Sequence, residues 1–457
     1  MPLDIITSTA GRVPDPGIRA LYTTQARWQG WLDVEAALAE AQARVGLIPQ
    51  SAAERIRAVA HLDQLDPARI EEANQRTAHT IVPLIWELAR VAGPDAGGWV
   101  HWGATTQNIL HNGDVLTLRE IHRRFTGILL KTLERLAEVT SETAGLAIAG
   151  RTHGQHAVPV TFGFKTAAWI DSLIRHVERL DAAASRACTV VLGGAAGTFA
   201  AMGPLGPKVQ AELADILGLG QATHPGRTVV DSLAEYVAAL GLLAATTEQI
   251  GREIYSLMRT EYGEVEEPMP PGTVGSSTMP QKRNPHICQD IIARSASVRG
   301  AVPLAMEAMI VEHEADRSRH LLMQEELSTA CIAMGDVLVR VEHVIEDMTY
   351  DPDRMGRNLN LSGGLIMAEA VMMRLGETLG RQQAHDLVFD AAQSAADGQG
   401  TFAELLMVNA DIRSRLSEDA IAGLLDPASY LGEAPMIARG TAARAWAFVA
   451  TERQKTP

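Results

Sequence analysis

The stretch VVDSLAEYVAALGLLAATTEQIGREIYSLMRTEY, residues 229–262, decides the fold of this chain. Its apolar residues recur at steps of three and four, apart from one gap across 244–247, and this spacing places them on one face of a helix. They are Val230, Leu233, Val237, Leu240, Leu243, Ile250, Ile254 and Leu257. The sequence therefore predicts one long amphipathic helix here.

Four other segments have the same character, namely 115–145, 158–187, 287–311 and 320–350. Helices of about 25–35 residues are long against a usual mean of ~11–12, and such lengths are typical of bundles. The apolar stripes are wide, so we expect further bundles to pack against them in an oligomer. The prediction is an all-α protein with a central bundle of five long helices.

Composition supports this fold class. Of 457 residues, 46% are hydrophobic but only 4% are aromatic, so Ala, Leu, Val, Ile and 16 Met must build the core. Sheets favour more aromatic and β-branched residues. Shorter helical patterns, broken by Pro and Gly, flank the bundle. We therefore divide the chain into an N-terminal helical domain (1–112), the central bundle (113–350) and a small C-terminal helical domain (351–457).

Charge and cysteine content limit the partners. The net charge of −15 makes nucleic acid and anionic membranes poor partners, so an anionic substrate needs local positive charge. Cys188, Cys288 and Cys331 form no CxxC pair, which is typical of small core residues in a reducing compartment. We see no signal peptide and no apolar run of membrane length, so we expect a cytoplasmic protein.

Standard cofactor and metal motifs are absent. The run LGGAAGTFAAMG lacks GxGxxG spacing, and HEADR (313–317) has Arg317 where a zinc site needs its second histidine. The sequence predicts neither a cofactor nor a metal.

Polar clusters instead mark four breaks between long helices. They are GATTQNILHNG (103–113), RTHGQHAVPVTF (151–162), GGAAGTFAAMG (193–203) and GSSTMPQKRNP (275–285). The first fits either a carboxylate site or a helix cap. Histidines such as His153 and His79 fit acid–base chemistry or a structural role. The glycine run allows close approach of a ligand or of a neighbouring helix.

The fourth cluster is compact, polar and stiffened by prolines, and it extends a loop of some fifteen residues between two helices. Loops of that length are usually functional or disordered. Its hydroxyl, cationic and amide groups favour an anion-binding lid over a mobile solvated loop.

GSSTMPQKRNP matches GSSxMPxKxNP, the signature of the fumarase/aspartase (class II fumarate lyase) superfamily, at every fixed position. GATTQN, RTHGQHA and GGAAGT follow in the expected order. NLNLSGGLIMAEAVMMRLG and LLDPASYLG resemble the 3-carboxy-cis,cis-muconate cycloisomerase branch, which lies near the adenylosuccinate lyases. The resemblance implies a homotetramer of three-domain all-α subunits. Their long helices would form a twenty-helix core, with active sites shared between subunits.

The resemblance also implies roles for individual residues. Ser276 matches the catalytic base and His153 the general acid, while Lys282 and Asn284 match the residues that hold the substrate carboxylate and the intermediate. Further matches place other residues at the substrate: Thr105, Thr106, Asn108, Thr152, Gln155, Ser277, Met279 and His79. The reaction implied is anti elimination across a small dicarboxylate, with release of fumarate.

Departures from the family bear on the substrate. RHLLMQEE (319–326) stands where adenylosuccinate lyases carry a phosphate-gripping Ser-Ser-x-Glu-Arg run, and Val229, Val230 and Asp231 replace a Gln-Arg-Asp run. The chain keeps the histidine of RTH, which bacterial cycloisomerases lack. Three arginines are candidates for a replacement anion contact: Arg227, Arg317 and Arg319.

The function expected first is elimination of an amine or another nitrogen group, such as nitrite, from a substituted succinate. A muconate cycloisomerase, an adenylosuccinate lyase and a structural family member without turnover are the alternatives.

Overall fold

The computed structural model describes residues 9–455, so residues 1–8 and 456–457 of the two predicted outer domains lie outside the described residues. Helices dominate this part of the chain, and the predicted all-α class is confirmed. In chain order the helices are α1 (Ile18–Leu21), α2 (Thr24–Arg44), α3 (Gln50–Val59), α4 (Pro67–Thr77), α5 (Val82–Ala92), α6 (Pro94–Gly97), α7 (Thr106–Glu142), α8 (Phe162–Ala187), α9 (Gly206–Leu217), α10 (Asp231–Leu257), α11 (His286–Glu307), α12 (Arg317–Asp347), α13 (Pro352–Leu359), α14 (Ala368–Leu379), α15 (Arg381–Ala396), α16 (Phe402–Val408), α17 (Ala410–Arg413), α18 (Glu418–Leu424) and α19 (Ala434–Lys455).

The strands are short and form three two-stranded pairs in the described residues. β1 (Ala147–Thr152) pairs antiparallel with β2 (Gln155–Thr161), β3 (Thr189–Val190) pairs parallel with β4 (Gly220–Gln221), and β5 (Val265–Glu266) pairs antiparallel with β6 (Thr349–Tyr350).

All five predicted long helices are present, as α7, α8, α10, α11 and α12. Several predicted boundaries were wrong. Residues 143–145, 258–262, 308–311 and 348–350 lie beyond the ends of α7, α10, α11 and α12, and the last of these segments contains β6. The predicted start of α8 was also wrong, because residues 158–161 belong to β2 and α8 starts only at Phe162. The reason is the run Val158-Pro159-Val160-Thr161, whose β-branched residues favour a strand. Helix α7 begins at Thr106, ahead of the predicted 115.

All eight residues of the predicted apolar face are buried; seven of them lie in α10, and Val230 directly precedes it. The gap in its periodicity contains Thr247, which is also buried. The Thr247 hydroxyl lies 3.1 Å from the Leu243 carbonyl oxygen and 3.4 Å from the Ser295 hydroxyl. A buried hydroxyl with such partners avoids most of its desolvation cost, so the buried face continues through the gap.

Neighbouring long helices make close contacts. The Thr140 hydroxyl on α7 lies 2.7 Å from that of Thr166 on α8. A Cβ added at Gly163 on α8 would lie 2.5 Å from the Thr140 carbonyl oxygen, so only glycine fits there. The His176 ring on α8 contacts the Thr246 hydroxyl on α10 at 2.8 Å.

The chain divides into two compact units, and each long helix contributes residues to both. The first unit comprises 9–128, 176–248 and 290–339 of the described residues, and α2, α3, α5 and α9 supply much of its apolar core. The second comprises 129–175, 249–289 and 340–455. It has a core between α14, α15, α16 and α18. The three-domain division made from sequence stays a prediction.

A buried ion pair anchors the β1–β2 hairpin in the second unit. The Arg151 guanidinium on β1 donates to both carboxylate oxygens of Glu264, at 2.9 and 2.8 Å, and stacks over the Tyr262 ring with 4.6 Å to its centroid. The Asn358 amide donates to the same carboxylate at 2.8 Å. Because Glu264 is fully buried, its charge depends on these partners.

Glu264→Gln would leave the Arg151 guanidinium without its counter-ion. We expect the free energy of unfolding to fall by about 3 kcal/mol, since removing one partner of a buried pair strands the other charge. Urea unfolding at fixed protein concentration measures the loss. Glu266→Gln is the matched control, because Glu266 pairs with exposed Arg283 and such pairs contribute only ~0–1 kcal/mol. Equal losses in the two variants would contradict the role given to Glu264.

Candidate active site

The predicted carboxylate-binding turn lies at the start of α7. Thr105 and Thr106 are half-buried, whereas Asn108 is fully buried. The Asn108 amide oxygen accepts from the backbone N–H groups of Thr105 at 3.1 Å and Gly194 at 3.2 Å, and its NH₂ group donates to the Val191 carbonyl at 3.3 Å. The Asn108 side chain therefore holds the turn in place, and its contact with substrate stays a prediction.

Sequence reasoning missed two further buried amides that hold the same region. Asn112, one turn after Asn108, exchanges two hydrogen bonds with the backbone of Val191, at 3.1 and 3.2 Å. Gln210 accepts from the Leu192 N–H at 3.1 Å and donates to the Ala222 carbonyl at 3.0 Å. Asn112 stands four residues after Asn108, on the same helix face, and this spacing was the available signal.

The glycine run approaches backbone rather than another helix. A Cβ at Gly193 would lie 2.5 Å from the Gly197 Cα and 2.7 Å from the Pro225 carbonyl oxygen, and one at Gly197 would lie 2.9 Å from the Gly226 Cα. Gly197 also has a φ of 79°, in the left-handed region that favours glycine. The run therefore packs tightly against the turn at 225–226.

The three candidate arginines differ in environment. Arg319 pairs with Glu307 at 2.8 Å, and Arg317 is exposed at the start of α12. Arg227 is half-buried, with a buried Nε that has no hydrogen-bond partner among the described residues.

His153 lies at the tip of the β1–β2 hairpin. His153 and Gly154 have φ values of 53° and 77° and form the two-residue turn between paired Thr152 and Gln155. Positive φ at both central positions is the geometry of a type I′ hairpin. The residues from Thr152 to Gln155 are exposed on this chain, so the turn presents the His153 ring outward.

The signature segment lies in a loop between β5 and α11 and has no helix, as predicted. Ser276 Oγ accepts from the backbone N–H groups of Thr278 at 3.4 Å and Met279 at 3.2 Å. The Asn284 amide donates to the Gly275 carbonyl at 2.7 Å, and a Cβ at Gly275 would collide with the Lys282 carbonyl oxygen. The two ends of the segment thus meet closely at Gly275.

Other predicted residues of this loop are open to solvent. Ser277, Met279 and Lys282 are exposed, and Asn284 is half-buried. His79 lies before α5, where its Nδ1 accepts from the Val82 N–H at 3.3 Å. That contact is a structural one, and substrate binding by His79 stays a prediction.

A carboxylate that sequence reasoning missed fixes the loop at both ends. Glu267 precedes the loop, and its two carboxylate oxygens accept from the N–H groups of Ile287 at 3.0 Å and Cys288 at 2.9 Å, in the first turn of α11. Burial raises the pKa of the Glu267 carboxyl, against the opposing effect of these N–H groups. One side chain therefore joins the residue before the loop to the helix after it.

Within residues 9–455, no cluster of three or more His, Cys, Asp or Glu side chains is placed to hold a metal ion. None of the helices in that range is both long and apolar enough to cross a membrane.

Known proteins resemble this chain over most of its length. Residues 11–300 match a family model described as lyase, and residues 364–440 match one described as the adenylosuccinate lyase C-terminus. An N-acetyl-S-(2-succino)cysteine lyase of Enterococcus italicus is 37% identical over 415 residues, which cover 91% of each chain. A 3-carboxy-cis,cis-muconate cycloisomerase of Pseudomonas aeruginosa is 39% identical over 424 residues, covering 91% of this chain and 92% of that relative.

Among solved structures, the 3-carboxy-cis,cis-muconate lactonizing enzyme from Pseudomonas putida superposes with a TM-score of 0.89 at 34% identity, covering 96% of this chain and 99% of that one. The all-α fold and these matches define an enzyme of a superfamily that includes both lyases and muconate cycloisomerases. The chain belongs to the fumarase/aspartase superfamily, as its signature segment predicts.

Glu267→Ala would leave two buried N–H groups of α11 without acceptors and free the end of the loop. We expect trypsin to cut after Lys282 and Arg283 at least about ten times faster than in the wild type, since an unmade buried hydrogen bond costs about 1–3 kcal/mol and weakens local structure. Timed proteolysis with mass spectrometry measures the rate. Glu261→Ala, at an exposed position nearby, is the control. Equal cutting of both variants would contradict the role given to Glu267.

Proposed function

We propose that the chain catalyses anti elimination of an amine or another nitrogen group, nitrite included, from a small substituted succinate, with release of fumarate. The observation that carries the proposal is the polar environment of Ser276 in the signature loop. An acidic protein needs such local donors to handle a dianionic substrate.

Ser276 is the proposed base that removes a proton from the carbon next to one carboxylate. A serine hydroxyl is a poor base at neutral pH, so its alkoxide must be stabilised. The N–H groups of Thr278 and Met279 already point at Ser276 Oγ, which favours negative charge there. Lys282 and Asn284 are the proposed contacts for the substrate carboxylate and for the doubly charged intermediate.

His153 is the proposed acid that protonates the leaving group. Its exposed position at a rigid two-residue turn supports a ring that reaches into a site completed by another subunit, as the family resemblance implies. Thr105, Thr106 and Asn108 form the proposed turn for the second carboxylate, and Thr152, Gln155, Ser277, Met279 and His79 are proposed to line the substrate site.

Elimination of a thiol from a thioether substrate is the second candidate, because the Enterococcus italicus relative is named for a succinylated cysteine. The same base and acid would serve, with a thiol leaving in place of an amine. Lactone formation from a carboxymuconate is the third, supported by the name of the Pseudomonas aeruginosa relative.

A homotetramer is part of the proposal. Apolar side chains lie exposed on or beside the long helices of this chain, and large exposed apolar areas usually mark interfaces. They are Leu242, Leu304, Met306, Met309, Ile310 and Leu321.

A substrate panel tests the proposed reaction. N-substituted aspartates, nitrosuccinate, S-succinylated thiols and 3-carboxymuconate are each incubated with the enzyme, and fumarate is followed by its ultraviolet absorbance. We expect fumarate from one or more nitrogen compounds. Fumarate release from the thioethers alone would show that the leaving atom is sulfur and not nitrogen. Lactone formation without fumarate would overturn the proposed elimination.

Ser276→Ala is the control for that panel. The variant should lose at least about a thousand-fold in kcat, within the range of a positioned base, and keep the oligomer seen by light scattering. Full activity in this variant would remove Ser276 from the mechanism.

His153→Asn separates the acid from the base. Asparagine tolerates positive φ, so the hairpin turn should survive, but it is not a proton donor of useful acidity. We expect kcat to fall about a hundred-fold or more for an amine leaving group and little for nitrite, which leaves without protonation. Steady-state kinetics with both substrates gives the two ratios, and equal losses would show that His153 is not the acid.

A further inference from the structure

We propose that a small polar cavity of the first unit, formed by Gln107, His111 and Arg227, binds a carboxylate carried by the leaving group. The inference rests on the proposed elimination and specifies its substrate class: the departing amine, or thiol, bears an acid of its own.

The cavity adjoins the proposed succinate-binding turn. Its lining residues are Gln107, His111, Val191, Gly226, Arg227 and Val229. Gln107 stands between Thr106 and Asn108 in sequence, and its NH₂ group reaches the Arg227 carbonyl at 3.5 Å. The free space accommodates about one water-sized group. A single carboxylate oxygen fits this space, whereas a whole substrate does not.

Two buried nitrogen atoms of the lining residues, and one of His320 next to Gln107, have no hydrogen-bond partner in the described part of the chain. They are His111 Nε2, Arg227 Nε and His320 Nε2. Buried polar atoms are nearly always paired, so a cluster of three indicates a missing polar ligand. Arg227 has no ion pair among the described residues either, so its charge is available to an anion.

The hydrogen bonds within the cluster orient its donors. The Gln107 NH₂ group lies 3.3 Å from His320 Nδ1. In this orientation the Gln107 NH₂ group donates to His320 Nδ1. The ring proton of neutral His320 is therefore on Nε2, which can donate to a ligand. Arg227 Nε carries a fixed N–H donor. His320 Nε2 and Arg227 Nε are thus two donors without acceptors, which suits a carboxylate oxygen, whereas neutral His111 bonds the Thr189 backbone through its other ring nitrogen and has an acceptor at Nε2.

The surrounding charges support an anion in particular. Burial lowers the pKa values of His111, His320 and Arg227, and Arg27 and Arg227 further lower that of His320. The Asp114 carboxylate acts in the opposite direction and raises the pKa of both histidines. That carboxylate already accepts hydrogen bonds from the Arg27 guanidinium at 3.4 Å and from the Gln324 amide at 2.5 Å. A bound carboxylate would supply the counter-charge that this cluster lacks.

The leaving group is the part of the substrate with an unassigned charge. A succinyl unit has two carboxylates, and the turn at Thr105 and Thr106 and the pair Lys282 and Asn284 are proposed to hold both. A third set of donors therefore indicates a third carboxylate. Val229 and Val230, which replace the family's Gln-Arg pair, leave Arg227 as the cation in this stretch.

Two isosteric substrates test the proposal. N-(carboxymethyl)aspartate releases glycine, and N-(carbamoylmethyl)aspartate releases glycinamide, so the pair differs in one charge; the corresponding thioethers serve if sulfur is the leaving atom. We expect the wild-type enzyme to favour the acid over the amide at least about ten-fold in kcat/KM, as charge-assisted hydrogen bonds predict. In Arg227→Gln this ratio should fall to about one. Arg76→Gln, an exposed charge loss on α4, should keep the wild-type ratio.

Binding to Ser276→Ala separates this proposal from the proposed reaction. Calorimetry with the same two compounds should show the acid binding at least about ten times more tightly than the amide, and Ser276→Ala/Arg227→Gln should lose that preference while retaining the oligomer. Equal binding of acid and amide, or an unchanged preference without Arg227, would overturn the carboxylate site. Preferential binding without fumarate from either compound in the active enzyme would instead overturn the elimination.

Discussion

The signature loop depends on the hydrogen bonds that Glu267 makes with the first turn of α11. A helix begins with N–H groups that have no partner inside the helix, and at α11 two of these groups are buried. The Glu267 carboxylate accepts from both. The same contact joins the residue before the loop to the helix after it, so one interaction satisfies a helix terminus and fixes the span of a long loop. Ser276, Lys282 and Asn284 all lie inside that span.

Buried polar side chains hold irregular segments in two other places. Asn108 and Asn112 use their amides to hold the backbone around Val191, and Glu264 fixes the hairpin that carries His153 through Arg151. In each case a polar side chain, buried among apolar helices, is paired with backbone or with an opposite charge. These pairings hold irregular segments in place between long helices.

Helix content was predictable from sequence because it depends on local periodicity. The face of α10 is an example, since every apolar position in its pattern is buried. Residues 158–161 were misassigned because a strand needs a partner, and the partner of β2 is β1. The run EVEE, residues 264–267, also shows that local sequence does not reveal tertiary partners. Glu264 and Glu267 are buried while Glu266 is half-exposed, and nothing in four neighbouring letters separates them. Their partners, Arg151 and the start of α11, are distant in sequence.

The candidate site, too, was predictable from sequence only in part. The signature segment was recognisable because its composition is unusual, and it forms a loop without helix, as that composition predicts. Asn108 lies in the turn at the start of α7, and its amide faces Val191 and Gly194, more than eighty residues away. The buried contacts of Glu267, Asn112 and Gln210 required the fold. Local sequence identifies groups that react, whereas the groups that position them are defined by tertiary contacts.

The proposed functional groups of this chain are of two kinds, those that already have hydrogen-bond partners and those that have none. Ser276 Oγ has backbone partners within its own loop, so two donors already face the oxygen on which the proposed reaction develops charge. The nitrogen atoms of His111, Arg227 and His320 have no such partners. A group that only performs chemistry gains from a preorganised protein environment, but a group that selects a ligand must keep its hydrogen bonds for that ligand. Unsatisfied polar atoms in a buried cavity are therefore a better guide to the substrate than the signature loop itself.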